Sequence, residues 1–369
     1  MKILWLTEFF PKSAQGEITG GVEARCFYVS RYLQLFGHEV TILADRTSGS
    51  RWSHLSLKTL FTGIPYYFRM ITRAVVAIST DFDIVEGTNY TTYPFAWLLG
   101  SIRRKPVIFW YPDVFVGKWI NNIGPAGFIG ELAERLILKL PINKYIAISC
   151  STKDKLIKAG VNAEKIELIY CGVDSAEIKR VLAKNYKKVY DIVSVARLVG
   201  YKRVIDIIKA LVFLRDEYPN IKLAIVGQGP EKKVIEQEVQ KYKMQRNVRF
   251  LGYLPNHEEA LAVIAKSKIL CLASVAEGFG IVAIESAALQ VPTVLSDIPV
   301  LREVTLNGAG GLLFRQKDIK DLAKKIQWLL ENKSMYAEKK LKSRVLAQKY
   351  DWELISRQTE NIYNRILES

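Results

Sequence analysis

Short apolar runs alternate with amphipathic segments along nearly the whole chain. Residues 3–6 form a continuous apolar run, the pattern of a strand covered on both faces. Residues 22–36 carry apolar positions at helical spacing and predict a helix, closed at Gly37, where glycine suits a helix C-terminus. The next strand is expected at 40–44, and others at 84–86, 107–110, 145–149 and 167–170. At 176–188 the texture changes: the stretch is Lys-rich, has no strand signal and reads as a junction between domains. The pattern then restarts, with strands at 191–196, 221–226, 248–251, 269–273 and 293–296. Helices fit between them at 203–217, 231–243, 256–266 and 282–290. Asp318 is placed to cap a further helix holding Leu322, Ile326, Leu329 and Leu330. A final amphipathic segment at 352–367 follows a charged stretch. Strand–helix alternation of this kind predicts an α/β protein of two Rossmann-like, doubly wound parallel domains. Ligands in such sheets sit at the carboxyl ends of the strands, so a cleft between the domains is the expected site.

Composition narrows the class. The 369 residues are 49% hydrophobic and 24% charged, which excludes a disordered chain. Cys26, Cys150, Cys171 and Cys271 are widely separated and form no C-x-x-C, so neither a disulfide framework nor a cysteine zinc site organises the fold. His38, His54 and His257 are far apart in sequence and form no H-E-x-x-H. The first residues turn acidic too early for a signal peptide, and no apolar run reaches the roughly 18 residues of a membrane span. The expected address is the cytoplasm. A net charge of +16 suits nucleic acid, anionic lipid or phosphorylated small molecules. The basic excess is shared by both halves, which argues against a basic tail as the sole partner site.

Three features point to phosphate. Thr19-Gly20-Gly21-Val22 follows the first strand and opens a helix, where backbone amides and the helix terminus favour an anion. Arg197 lies just past a predicted strand and Lys202 at the start of the next helix, a spacing that lets two cations grip a diphosphate. Glu277 precedes the turn Gly278-Phe279-Gly280, and a helix begins near Ile281, with Glu285 about one turn in. Taken singly, each has a plainer reading: a surface loop, solvated basic residues, an acid in a first helical turn.

Together these residues resemble the retaining glycosyltransferases of family 4, in the GT-B fold. The resemblance rests on Glu277-x7-Glu285 around Glu-Gly-Phe-Gly, the Gly20-Gly21 loop, the Arg197/Lys202 pair and Ile169-Tyr-Cys-Gly-Val-Asp174. The closing Tyr350-Asp-Trp-Glu…Ile362-Tyr363 is similar to the family's terminal helix, which returns to the first domain. The implied domains are 1–175 on the acceptor side, 176–348 binding the nucleotide-sugar, and 349–369 packing back on the first. The resemblance implies that Arg197 and Lys202 bind the donor diphosphate and stabilise the leaving group. It implies that Glu285 binds the ribose and Glu277 the transferred sugar. Amides near Phe279, Gly280 and Ile281 would reach sugar or phosphate, Gly20 and Gly21 would approach the diphosphate, and backbone around Gly227, Tyr253 and Leu254 would cradle the base. No metal and no further cofactor is implied, only a UDP-, GDP- or ADP-sugar donor. Many members carry a His where this chain has Pro112; Asp113 is then the catalytic candidate for contact with the acceptor or its activation, or simply a turn residue after a strand.

Residues 46–80 hold Arg46, Arg51, Lys58, Arg69 and Arg73, no acid before Asp81, and interleaved Trp52, Phe61, Tyr66, Tyr67 and Phe68. That composition suits an anionic membrane surface and a lipid-linked or glycan acceptor, or else a helix packed on its own sheet. The expected reaction is sugar transfer to a hydroxyl in glycolipid, oligosaccharide or polysaccharide synthesis. Rival readings are a sugar-nucleotide epimerase or phosphorylase of the same fold. More distant are a nucleic-acid-binding protein, for which no recognised motif is present, and a nicotinamide oxidoreductase, whose third glycine is replaced by Lys232.

Overall fold

The computed structural model describes residues 1–11, 18, 20–46, 79–120 and 124–368. Thr19 and residues 47–78, which make up most of the basic aromatic segment, lie outside the described residues. Two compact units divide the chain, one of residues 1–171 with 352–369, the other of residues 172–351.

The first unit opens with β1 (Lys2–Phe9), α1 (Gly21–Leu35) and β2 (Glu39–Arg46). It continues through β3 (Ile84–Gly87), α2 (Tyr93–Arg103), β4 (Val107–Tyr111), α3 (Gly127–Ile137), β5 (Lys144–Ala147), α4 (Cys150–Lys158) and β6 (Ile166–Leu168). The strands form one parallel sheet in the order β2-β1-β3-β4-β5-β6. Ile3 is paired with both Val40 and Ile84, so β1 lies where the winding of the sheet reverses. Helix α1 ends as expected: Gly37 takes φ +91°, its N–H donates to the Gln34 carbonyl, and the His38 N–H donates to that of Leu33.

The second unit begins with α5 (Ser175–Ala183), β7 (Tyr190–Val195), α6 (Val204–Leu214), β8 (Leu223–Val226), α7 (Lys232–Lys241) and β9 (Val248–Gly252). It goes on with α8 (His257–Ala265), β10 (Ser267–Leu272), α9 (Ile281–Ala288), β11 (Thr293–Ser296), α10 (Pro299–Val304), β12 (Gly311–Phe314), α11 (Ile319–Glu331) and α12 (Lys333–Ala347). Its parallel sheet runs β12-β11-β10-β7-β8-β9, so the reversal falls between β7 and β10. Ile192, Ile225, Ile269 and Val294 from four strands meet Ile207, Leu211 and Ile326 from the helices in one apolar core.

Two stretches differ from the sequence expectation. The Lys-rich junction contains a helix, α5, because the Asp174 side chain accepts the Ala176 and Glu177 N–H groups while Ile178 and Val181 are buried. The charged stretch before residue 352 is α12. Its buried stripe is narrow (Ser343, Leu346, Ala347), so lysines on the exposed face dilute the periodicity. Asp318 does cap α11, accepting the Asp321 N–H at 2.9 Å.

The chain returns to the first unit in α13 (Trp352–Glu368), which packs on α1. The two ends of the second unit are held side by side: Val173 bridges to Asp351, and its N–H donates to the Tyr350 carbonyl at 2.7 Å. Inside the first unit, α13 closes a buried polar network. Arg25 on α1 and Glu86 on β3 are 1% and 0% exposed and form a two-pronged ion pair. The Tyr363 hydroxyl donates to Glu86 Oε2 at 2.5 Å and accepts from Trp5 Nε1 at 3.0 Å. The guanidinium lies 4.7 Å and 4.9 Å from the ring centres of Trp5 and Trp110, a double cation–π contact. Burial opposes the charge on Arg25, but Glu86 outweighs it and holds the guanidinium protonated. Removing one member of such a pair leaves an uncompensated buried charge. Glu86→Ala is expected to cost about 3–5 kcal/mol in urea unfolding. Tyr363→Phe, which removes one hydrogen-bonding group and leaves the ion pair, is expected to cost about 1–3 kcal/mol.

Candidate functional site

In the second unit the loops after β7 and β10 leave the sheet at its reversal, the place where open parallel sheets bind ligands. Leu198 anchors the first loop: it is buried, and its N–H donates to the Gln228 carbonyl at 3.0 Å. Arg197, just before it, is exposed, and its Nη2 donates to the Tyr201 hydroxyl at 2.6 Å. Residues Gly200–Lys202 form a single 3-10 turn, and Arg203 takes a left-handed φ of +48° that redirects the chain into α6. Lys202 is thereby turned toward the second loop. Its Nζ donates to Glu277 Oε1 at 2.6 Å. Ser274 Oγ donates to the same oxygen at 2.7 Å, and the Val275 N–H donates to the Tyr201 carbonyl at 2.8 Å. Cation and carboxylate are only 15% and 8% exposed, so each is held largely out of water by the other.

Beyond Glu277, Phe279 is buried with its ring edge-on to Tyr350, centres 5.8 Å apart. Gly280 has φ +83°, and a Cβ there would come within 2.7 Å of Leu301 Cδ2. Glycine is therefore required at the turn into α9, whose first residue is Ile281 and whose amino end has no side-chain cap. Glu285 lies in the second turn of α9, not the first, so stabilisation of a helix start does not explain it. It is 8% exposed, and its Oε1 accepts from His257 Nε2 at 3.0 Å. His257 Nδ1 donates to Glu177 Oε2 at 2.9 Å. Burial disfavours the imidazolium, but Glu285 and Glu177 outweigh it and raise its pKa to about 10. His257 carries no sequence signature; only the meeting of α5, α8 and α9 gives it partners.

The remaining residues expected on this side are backbone features. Gly227 has φ +130°, and a Cβ there would lie 1.9 Å from the Ala196 carbonyl oxygen, so packing of the β8 and β7 loops explains that glycine. Its N–H donates to the Gly252 carbonyl at 2.7 Å. Tyr253 and Leu254 form the turn from β9 to α8, directly before the capping residue Asn256 and His257. A cavity of about 430 Å³ lies at the other ends of β7 and β10, lined by Lys188, Lys268, Tyr336 and Lys340 among others. None of the expected donor residues lines it.

In the first unit, Gly20 precedes α1 with extended backbone (φ −168°), and a Cβ on Gly21 would meet nothing within 4 Å. Asp113 follows β4, and its Oδ1 accepts from Lys155 Nζ at 2.5 Å and from the Val114 N–H at 2.8 Å. The Tyr90 hydroxyl donates to the Asp113 carbonyl. Glu134, which no sequence pattern marks, is 1% exposed; Oε1 accepts the Phe115 N–H at 3.2 Å and Oε2 the Trp119 Nε1–H at 2.5 Å. Burial pushes its carboxyl up to about 7, against those two hydrogen bonds. Among the described residues no cluster of three or more His, Cys, Asp or Glu could hold a metal, and no helix is long and apolar enough to cross a membrane.

The raised pKa of His257 has a defined sign. A group whose pKa rises on folding stabilises fully below its unfolded value, here near 6.5, and loses that contribution as pH climbs toward about 10. The stability gap between the wild type and His257→Gln is expected to shrink steadily over that window in thermal melts.

Comparisons with known proteins bear on the whole chain. The family described as "Glycosyltransferase Family 4" matches residues 19–177, and "Glycosyl transferases group 1" matches residues 174–345. Glycogen synthase of Mycobacterium tuberculosis is 30% identical over 98% of this chain and 94% of its own length. A phosphatidylinositol N-acetylglucosaminyltransferase component of Arabidopsis thaliana is 22% identical over 100% of this chain and 82% of its own. Among solved structures, Anabaena HepE in complex with UDP and glucose superposes with a TM-score of 0.73 at 19% identity, over 99% of this chain and 100% of that one. The two parallel sheets with alternating helices are the GT-B fold of these neighbours, and the chain belongs to the family 4 (group 1) glycosyltransferases.

Proposed function

We propose that this glycosyltransferase moves a sugar from a nucleoside diphosphate sugar to a hydroxyl of a lipid-linked acceptor, with retention of anomeric configuration and without a metal. The observation that carries the reading is the Lys202–Glu277 pair at the sheet reversal, beside the uncapped amino end of α9. A diphosphate leaving group gains negative charge as its bond to the sugar breaks. Lys202, Arg197 and the first amides of α9 are the groups that stabilise that charge, the role a metal plays elsewhere. Glu277, released from Lys202 by the incoming phosphate, accepts hydrogen bonds from hydroxyls of the transferred sugar. Glu285 accepts from the ribose, and the backbone of Gly227, Tyr253 and Leu254 borders the base. In a front-face reaction the acceptor oxygen bonds to the anomeric carbon as the phosphate oxygen leaves, and the acceptor proton passes to that phosphate. No protein nucleophile takes part. A Cβ on Gly21 would meet nothing within 4 Å and one on Gly20 only the end of the Glu23 side chain, which supports close approach of the donor as the use of these glycines. Asp113, tied to Lys155, shapes the turn after β4 on the acceptor side. The HepE neighbour holding UDP and glucose makes uridine diphosphate sugars the first donors to test.

A lipid-linked acceptor is favoured by α3. This helix turns the Glu134 carboxylate inward and exposes Phe128, Ile129, Leu132 and Leu136, at 64, 55, 51 and 56%. Large exposed apolar side chains on one face, with Arg135 and Lys139 beside them, suit an anionic membrane surface. The name of the Arabidopsis relative, a phosphatidylinositol N-acetylglucosaminyltransferase, supports the same class of acceptor.

Three outcomes are expected. Glu277→Ala lowers kcat about 10²–10³-fold, and Arg197→Ala raises the donor KM as well as slowing turnover, the scale of losing one electrostatic stabiliser; near-normal kinetics in both would remove the site assignment. Proton NMR of early product shows the donor's anomeric configuration; the inverted anomer would exclude the front-face mechanism. The protein sediments with anionic vesicles at low salt, and a Phe128→Asp/Leu132→Asp variant stays in the supernatant; equal sedimentation of the two would remove α3 as the docking face.

A further inference from the structure

His257 lies outside the motif that the reading above uses, yet it touches two buried carboxylates at once. Nε2 is 3.0 Å from Glu285 Oε1 and Nδ1 is 2.9 Å from Glu177 Oε2. An ionised carboxylate only accepts hydrogen bonds, so both ring nitrogens must donate, and only the imidazolium does that. One cation facing two carboxylates leaves a net negative charge, and Glu285 keeps Oε2 for a further donor. The position of His257 is fixed from two directions. Asn256 caps α8 by accepting the Glu258 N–H at 3.0 Å, which makes His257 the first residue of the helix. Glu177 belongs to α5, which is tied to α8 a second time by Lys184 and Glu258 at 2.6 Å. Three residues before His257 is Leu254, in the loop that borders the base. The ring therefore joins the base loop to the carboxylate that faces the ribose.

We propose that His257 is a positioning residue for the donor nucleotide: shared between Glu177 and Glu285, it fixes the Glu285 carboxylate relative to the Tyr253–Leu254 loop and so sets recognition of the ribose hydroxyls. The inference rests on the reading that Glu285 binds the ribose. Its ligand is the ribose of a nucleoside diphosphate, and its signature is a preference for ribonucleotides over 2′-deoxyribonucleotides.

The test uses the full chain, with UDP, GDP and ADP and their 2′-deoxy counterparts as competitive inhibitors of transfer. In the wild type the preferred ribonucleotide binds at least about tenfold more tightly than its 2′-deoxy form, the scale of one hydrogen bond to a charged group. His257→Gln is expected to shrink that preference to about twofold or less, and to raise the donor KM about tenfold with kcat within about threefold. His257→Arg, which restores a cation with several donors, is expected to recover part of the preference. Where His257→Gln fails to fold by circular dichroism and melting, Glu177→Gln decides. It leaves the inner pair and is expected to lower the preference about threefold. A folded variant with wild-type preference overturns the proposal. Glu285→Gln separates the two layers. If it abolishes the preference while His257→Gln keeps it, the positioning role is wrong and the ribose reading stands; if Glu285→Gln itself keeps the preference, the ribose reading fails.

Discussion

The arrangement depends on the reversal of winding within each parallel sheet. Strands wound in one direction carry successive helices over one face, so neighbouring loops at their carboxyl ends close over one another. Where the direction changes, as between β7 and β10, the two loops lead to helices on opposite faces of the sheet. Two of the three expected phosphate features fall on those two loops. A lysine and a glutamate largely removed from water would each be costly alone, by several kcal/mol after relaxation. Lys202 and Glu277 meet that cost jointly. In the proposed reaction they do not form new charges on binding but exchange partners, Lys202 taking phosphate and Glu277 taking hydroxyls. The site is thereby charged and oriented before its ligand arrives.

The first unit is organised by a different polar element. Arg25 lies between the indoles of Trp5 and Trp110 and is gripped by Glu86, which in turn accepts from Tyr363. The network ties α1, three neighbouring strands of the sheet and α13 through directional bonds, where apolar packing alone would tolerate slippage. Arg25 lies one turn inside α1, so the same network sets the direction of the glycines at its amino end. The aromatic cluster of Tyr90, Tyr93, Tyr111, Phe115 and Trp119 around Glu134 plays the corresponding part for the loop that holds Asp113.

Much of this was legible in the chain. Continuous apolar runs marked the strands because strands buried on both faces admit no alternation, and 293–296 was placed to the residue. The turn at Gly280 was legible because a positive φ is a local demand. Helices α5 and α12 escaped because each buries only a narrow stripe, in α12 beneath a lysine-bearing face, and β12 because it is four residues among glycines. His257, Arg25 and Glu134 were not legible for a common reason: their partners lie 28 to 80, 61, and 15 to 19 residues away, and no local pattern encodes such a meeting. Gly227, which the resemblance places beside the base, is demanded as well by the close approach of the loops after β7 and β8.

The path of the chain through its two units sets the order in which they are finished. The first unit takes its last helix from residues 352–369, after the whole second unit has been threaded. Residues 172–351 are therefore all made before Tyr363, and the bridge between Val173 and Asp351 needs no part of α13. Until then the Arg25–Glu86 pair stands without its third member, and the face of α1 that α13 will cover is open to water. The unit made first is the one finished last, so a stalled or truncated chain exposes an unfinished first unit beside a finished second, a product that quality-control proteases and chaperones would meet before any acceptor does.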